Sequence, residues 1–235
     1  MLREIVLDTE TTGTDPAGGD RIVEIGCVEL LNHIPSGKTY HVYLNPEREV
    51  AAGAFAVHGL SNEFLADKPV FAKVADELAA FLEGGRLVIH NAAFDVGFLN
   101  AEYARTGHPA IALNEVVDTL ALARRKHPGA ANNLDALCSR YGIDNSRRTK
   151  HGALLDAEIL AEVYIELIGG KQTGFDLSVG PATRDTPQTT TAAPRRERPS
   201  ITISRLTDAE REAHAAFVEK LGPGAVWRDY LGKAS

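Results

Sequence analysis

Hydrophobic positions along the chain change period twice. The first 45 residues show short apolar runs broken by turn residues. Ile5-Val6-Leu7 ends at Asp8. Ile22 to Leu31 follows a Gly18-Gly19-Asp20 turn, and Thr39 to Leu44 follows Pro35-Ser36-Gly37. Three strands joined by short turns predict antiparallel pairing. Helical spacing then takes over. Val70, Val74, Leu78 and Phe81 mark a helix closed by Gly84-Gly85. Leu87-Val88-Ile89 reads as a fourth strand, leading through His90-Asn91 into a helix with Phe94, Phe98 and Leu99. Leu134, Leu137, Cys138 and Tyr141 predict another helix, stopped by Gly142. Leu155, Ile159, Leu160, Val163, Tyr164 and Leu167 predict a longer one, stopped by Gly169-Gly170. A meander followed by alternating strands and helices is an α/β layered domain.

Beyond Gly170 the texture changes. Residues 178–200 are rich in Pro, Thr, Ala and Gly and nearly devoid of large apolar side chains, which reads as a flexible linker. Thr207-Asp208-Ala209-Glu210 fits a capping box. Ala213, Ala216, Phe217 and Leu221 then form one stripe, before Gly222-Pro223-Gly224 and an apolar end with Val226, Trp227, Tyr230 and Leu231. So small a piece cannot bury its own face, which suits docking to a partner. The expected organisation is a domain over 1–175, a linker over 176–204 and a docking segment over 205–235.

Composition changes this picture little. Hydrophobic residues make up 44% of the chain, enough for a real core, and no apolar run is long enough to span a membrane. The N-terminus shows no secretory leader pattern, so a cytoplasmic protein is expected. Cys27 and Cys138 sit in apolar patterns as buried thiols, and no Cys/His cluster suggests zinc. The net charge of −7 argues against a protein that grips duplex nucleic acid by a basic face alone. Charge is uneven, however. Arg124, Arg125, Lys126, Arg140, Arg147, Arg148 and Lys150 face only Asp135 and Asp144 in that span, a net of +5. Such a stretch is either a solvated surface or a phosphate contact near a site.

Four acids stand out by context. Asp8 and Glu10 end the first apolar strand, two residues apart and so aimed to the same side. Asp95 follows the fourth strand. Asp156 interrupts an apolar stretch near the start of the long helix. Singly, each is an ordinary strand-end or helix-start acid. Brought together they would repel one another unless cations neutralised them, and hard oxygen ligands select Mg²⁺ or Mn²⁺. Two such ions can clamp the attacking and leaving oxygens of a phosphoryl displacement. His151, five residues before Asp156 and ahead of the helix, suits a general base.

The segments Ile5–Gly13, His90–Asp95 and His151–Asp156 resemble, in order and spacing, the three exonuclease motifs of the DEDD superfamily. The histidine resembles the DEDDh branch, which uses a His base. The resemblance implies a ribonuclease H-like fold with a mixed five-stranded sheet flanked by helices. It also implies two-metal hydrolysis of a nucleic acid from its 3′ end, with Asp8, Glu10, Asp95 and Asp156 as ligands and His151 as base. Further segments (Ala56–Ser61, Asn133–Cys138, Ile143–Thr149, the linker and the Trp227 tail) are similar to the epsilon, or proofreading, subunits of bacterial replicative polymerases. By that analogy Thr11, Gly13, His58, Asn91 and Phe94 hold the terminal nucleotide, Phe94 being equally readable as core. The tail would dock on the polymerase catalytic subunit. Gln172-Thr173-Gly174-Phe175-Asp176-Leu177 resembles a sliding-clamp binding peptide, with Gln172, Phe175 and Leu177 as its contacts, though Gly174 and the absence of two adjacent large apolar residues depart from the usual form. The motifs alone do not separate this activity from RNA trimming. The intact acid set argues against a purely structural tether.

Overall fold

Ile5, Val6 and Leu7 are all fully buried, so the strand they form is apolar on both faces. In the computed structural model, which describes residues 1–146, 148, 150–170 and 207–222, that strand is β1 (Arg3–Thr11). It pairs antiparallel with β2 (Ile22–Leu31) and parallel with β4 (Arg86–Ile89). With β3 (Ile34–Tyr43) and β5 (Val117–Asp118) the mixed sheet has the order β3-β2-β1-β4-β5. Helices cover both faces. Ile5, Leu7, Ile25 and Cys27 pack with Phe71, Val74 and Leu78 of α3 (Phe71–Leu82) and Phe98 and Leu99 of α4 (Ala92–Thr106). Val6, Val28, Leu30 and Val88 pack with Ala157, Leu160, Ala161 and Tyr164 of α7 (Ala153–Ile168). The far side of α7 carries Ile159, Val163 and Leu167 against Ala123 of α5 (Thr119–Lys126) and Leu137 and Cys138 of α6 (Leu134–Tyr141). A helix packed on two sides needs a wide apolar surface, and α7 leaves the line of Glu158, Glu162 and Glu166 to the outside. Both cysteines are free and buried.

The β2–β3 connection differs from the expected one. The turn lies at Asn32 and His33, whose φ angles are 51° and 65°. Two consecutive left-handed residues form a tight hairpin whose twist suits the flanking strands. Pro35-Ser36-Gly37 therefore falls inside β3 rather than before it. Proline is tolerated there because β3 is an edge strand. Short elements also escaped the hydrophobic pattern: α1 (Ala52–His58), α2 (Asn62–Leu65), α5 and the two-residue β5. α1 buries only His58, so it offers no apolar stripe to read.

The chain divides into two compact units, Met1–Leu177 and Ser178–Ser235. In the second, α8 (Asp208–Lys220) begins with the expected capping box: Glu210 N donates to Thr207 Oγ1, and Thr207 N donates to Glu210 Oε2. The clamp-like peptide, the 178–200 stretch and the Trp227 terminus lie outside the described residues. Among the described residues no helix is long and apolar enough to cross a membrane.

Candidate active site

β4 ends beside the middle of its parallel neighbour β1, just before Asp8, and open α/β sheets place ligands beyond such carboxyl ends. Asp8 and Glu10 share the parity of Val6, the residue that faces α7. Asp156 lies in the first turn of α7 and Asp95 in the first turn of α4. Asp95 and Asp156 are only 3% and 2% exposed. One contact allows this convergence. Gly26 stands opposite Asp8 in the β1–β2 register. A Cβ on Gly26 would lie 2.2 Å from the Ala153 carbonyl carbon and the Leu154 nitrogen. Only glycine lets the start of α7 come down onto the sheet beside Asp8.

Hydrogen bonds aim the acids. Thr9, on the opposite parity from Asp8, donates both its backbone N–H (3.0 Å) and its hydroxyl (2.7 Å) to Asp95 Oδ1. Ligand atoms of Glu10, His151 and Asp156 all lie within 4.8 Å of one another. His151 Nδ1 is 3.3 Å from Asp156 Oδ2, and the His151 backbone N–H donates to Val57 O of α1. The unanticipated helix α1 thus props the loop that carries the histidine. The basic stretch divides in its roles. Arg124 and Arg125 are exposed, and Lys126 donates to the carbonyls of Glu166 and Leu167 at the end of α7, where a cation suits the helix dipole. Arg148 turns inward and donates to Asp156 from Nε (2.5 Å) and Nη2 (2.9 Å). Arg147 lies outside the described residues.

Burial and mutual repulsion keep protons on this cluster. Burial first, then the charges of Asp95, Glu10 and Asp156, push Asp8 well above the usual carboxylate range. Glu10 rises to about 8, by burial, then by Asp156, Glu24 and Asp95. Glu24 is its cross-strand partner, itself buried and held by His41 Nε2 at 2.7 Å. Burial lifts Asp95 to about 7 against the pull of the Thr9 bonds. Carboxylates that hold protons this tightly are poised to exchange them for cations.

Two cavities flank the cluster. One, of about 370 Å³, is lined by Thr9, Glu10, Thr11, Gly13, His58 and Phe94 among others. Phe94 both lines this cavity and packs on Phe98, ring centroids 5.0 Å apart, so its two readings are compatible. His58 Nδ1 accepts from Leu60 N–H and its Nε2 donates to Thr11 O, the neutral tautomer, consistent with a pKa lowered by burial. Asn91 is not among the lining residues. It is exposed, adopts a left-handed conformation at the start of α4, and its N–H donates to Asp118 Oδ1. The second cavity, of about 350 Å³, is lined by Asp8, His90, Asn133, Asp135, Arg148, His151, Asp156 and others. His90, Thr9, Gly26 and Asp135 were not singled out as site residues from sequence, and Arg148 only as one of seven cations in the basic stretch. Only Gly26, a glycine inside an otherwise apolar strand, carried a local signal.

The exonuclease family model RNase_T matches residues 5–164. The DNA polymerase III subunit epsilon of Escherichia coli (strain K12) is 46% identical over 238 residues, covering 97% of this chain and 98% of that protein. The subunit epsilon of Rickettsia conorii (strain ATCC VR-613 / Malish 7) is 45% identical over 223 residues, covering 94% of this chain and 96% of that one. In fold, the chain is similar to the nuclease domain of 3′hExo, a DEDDh family member solved with rAMP: TM-score 0.61, 17% identity, 71% of this chain and 91% of that one. On the family match and the near-full-length identities, the chain belongs to the exonuclease family and, within it, to the DNA polymerase III subunit epsilon family.

Proposed function

We propose that Asp8, Glu10, Asp95 and Asp156 hold two divalent cations, Mg²⁺ or Mn²⁺, and that His151 is the general base of the 3′→5′ proofreading exonuclease this family membership makes the chain. The observation that carries the assignment is the meeting of Glu10, His151 and Asp156, from a strand end, a loop and a helix start, within 4.8 Å. The donor set fits the ions: its oxygens are hard, and its charge is unsustainable without cations. When bound, the cations neutralise the acids and stabilise the attacking and leaving oxygens of the displacement.

The remaining work falls to the chain's own residues. The cavity beside Glu10 takes the terminal nucleoside, with Phe94 offering a face for its base and Thr11, Gly13 and His58 enclosing the sugar. Asn91 contributes through its backbone turn, which orients the first turn of α4 and Asp95. His151, with 46% of its side chain exposed, accepts the proton of the attacking water. Cleavage of the last phosphodiester releases a 5′-mononucleotide. Mispaired ends are favoured because they fray into single strands more readily.

The C-terminal segment docks on the polymerase catalytic subunit, and Gln172, Phe175 and Leu177 contact the sliding clamp. These roles place the chain in the cytoplasm with replicating DNA. Replacing Gln172 and Phe175 together by Ala is expected to weaken clamp binding and spare hydrolysis of free single strands; unchanged clamp affinity removes the clamp assignment.

The deciding assay is divalent-cation-dependent digestion of 5′-labelled single-stranded DNA, beside a matched RNA, by the wild type and by Asp8→Ala. A ladder shortening from the 3′ end of DNA and abolished in Asp8→Ala is expected. Equal digestion by Asp8→Ala overturns the site, and faster digestion of RNA overturns the substrate.

A further inference from the structure

A cation already lies among the acids. The Arg148 guanidinium engages both oxygens of Asp156, donates from Nη1 to Asp135 Oδ1 at 2.8 Å, and meets His151 Nδ1 at 2.7 Å from Nη2. Its side chain is 8% exposed. It therefore grips both of the groups that converge with Glu10. A fork-to-carboxylate pair of this kind orients its partner as well as neutralising it.

As a mere stabilising bridge the pair is poorly explained, because a buried ion pair loses in desolvation much of what it gains in attraction. Its surroundings suggest another role. Arg148 sits on the irregular stretch between α6 and α7, so it can move without shifting a helix or strand. Asp135, on α6, is largely exposed and stands outside the acid cluster, which offers the guanidinium a second anchor.

We propose that Arg148 is an exchangeable counter-ion: in the metal-free protein it holds Asp156 and His151 in working position, and it yields Asp156 when divalent cations bind. The proposal rests on the ligand assignment above and adds a competition to it. A guanidinium bonded to both Asp156 oxygens repels a second cation from them. Metal loading must therefore release the arginine, and apparent metal affinity is weakened by that release. The gain is a site already shaped before loading, with one charge of the cluster compensated. Arg148 is in this sense a positioning residue, acting through Asp156 and His151.

The test is titration of the full chain with Mn²⁺ alone, without DNA, by calorimetry, for wild type, Arg148→Gln and Arg148→Lys. Arg148→Gln is expected to bind Mn²⁺ roughly threefold or more tightly. Its metal-free melting temperature is expected to fall below the wild type, with the gap closing at saturating Mn²⁺. Arg148→Lys, which keeps the charge and loses the fork, is expected between the two. Equal or weaker Mn²⁺ binding by Arg148→Gln, or a melting gap that Mn²⁺ leaves unchanged, overturns the exchange. No Mn²⁺ binding by any of the three proteins overturns the ligand assignment beneath it. The wild type gives a check independent of variant folding: its Arg148 Nε–H resonance, the one missing from Arg148→Lys, is expected to shift or broaden on Mg²⁺ addition, and an unmoved resonance overturns the proposal.

Discussion

Asp95 owes its direction to Thr9. Two donors from one residue meet the same carboxylate oxygen, across 86 positions of sequence. Thr9→Val keeps the backbone bond and the shape but removes the hydroxyl. It is expected to cost about 1–2 kcal/mol in denaturant unfolding, and about 10- to 100-fold in cation affinity or rate, as loss of a ligand's hydrogen-bond partner does. A rate within twofold of wild type would show that Asp95 needs no such aim. The protonated acids make a second expectation. Folding raises Glu10 from 4.5 to about 8 and Asp95 from 3.8 to about 7. The folded state thus binds these protons more tightly than the unfolded one. Their stabilisation is complete below the unfolded values and is lost as pH climbs through about 7 to 8. Melting temperature in chelator is expected to fall between about pH 6 and 8.5, and Mg²⁺ is expected to flatten the fall; a flat or rising profile in chelator contradicts it. At this scale the acids were legible because each interrupts an apolar pattern at a strand end or helix start. Thr9 and Arg148 were not, since a hydroxyl's distant partner and a loop side chain's inward turn leave no mark in local spacing.

Among the elements, α7 does most to assemble the site. It fills one face of the sheet, supports α5 and α6 on its other side, and delivers Asp156 from its first turn. Its approach is limited by Gly26, where even one methyl group would overlap the α7 backbone. Backbone cannot give way as a flexible side chain can. Gly26→Ala is therefore expected to lift the start of α7, at a cost of about 1–3 kcal/mol for the overpacking. Because Asp156 and His151 move with that end, the rate is expected to drop roughly 100-fold, the loss that follows a misplacement of about 1 Å. Exonuclease rate and thermal unfolding measured together decide the matter: a destabilised variant with wild-type rate would mean that the loop compensates. The long elements were readable because each is an apolar run or a helically spaced apolar set bounded by turn residues. α1 was not, although it anchors the His151 loop, because it buries a single histidine. The β2–β3 turn was misplaced for a related reason: Pro and Gly are strong turn signals, while the real turn uses Asn32 and His33, and the edge position of β3 absorbs the proline.

For the whole molecule, the chain divides near residue 177, and the proposed polymerase-docking role falls on the second unit. Every residue assigned to hydrolysis lies in the first unit, and each is held by contacts within that unit: Thr9 on Asp95, Gly26 beneath α7, Val57 on the His151 loop. The capped helix α8 belongs to the second, with Phe217 and Leu221 exposed. Exposed apolar side chains on a short helix are available for burial against a larger partner. If the two units are this independent, a chain ending at residue 177 should melt cooperatively and digest free single-stranded DNA at a rate within about twofold of the full chain, since its core and site are intact. The same truncation should abolish binding to the polymerase catalytic subunit, measured by surface plasmon resonance. A truncated chain that folds but no longer digests free DNA would place part of the chemistry in the second unit. One that still binds the polymerase would move the docking surface onto the nuclease domain. The two readouts fail separately, which is what a division between chemistry and attachment requires.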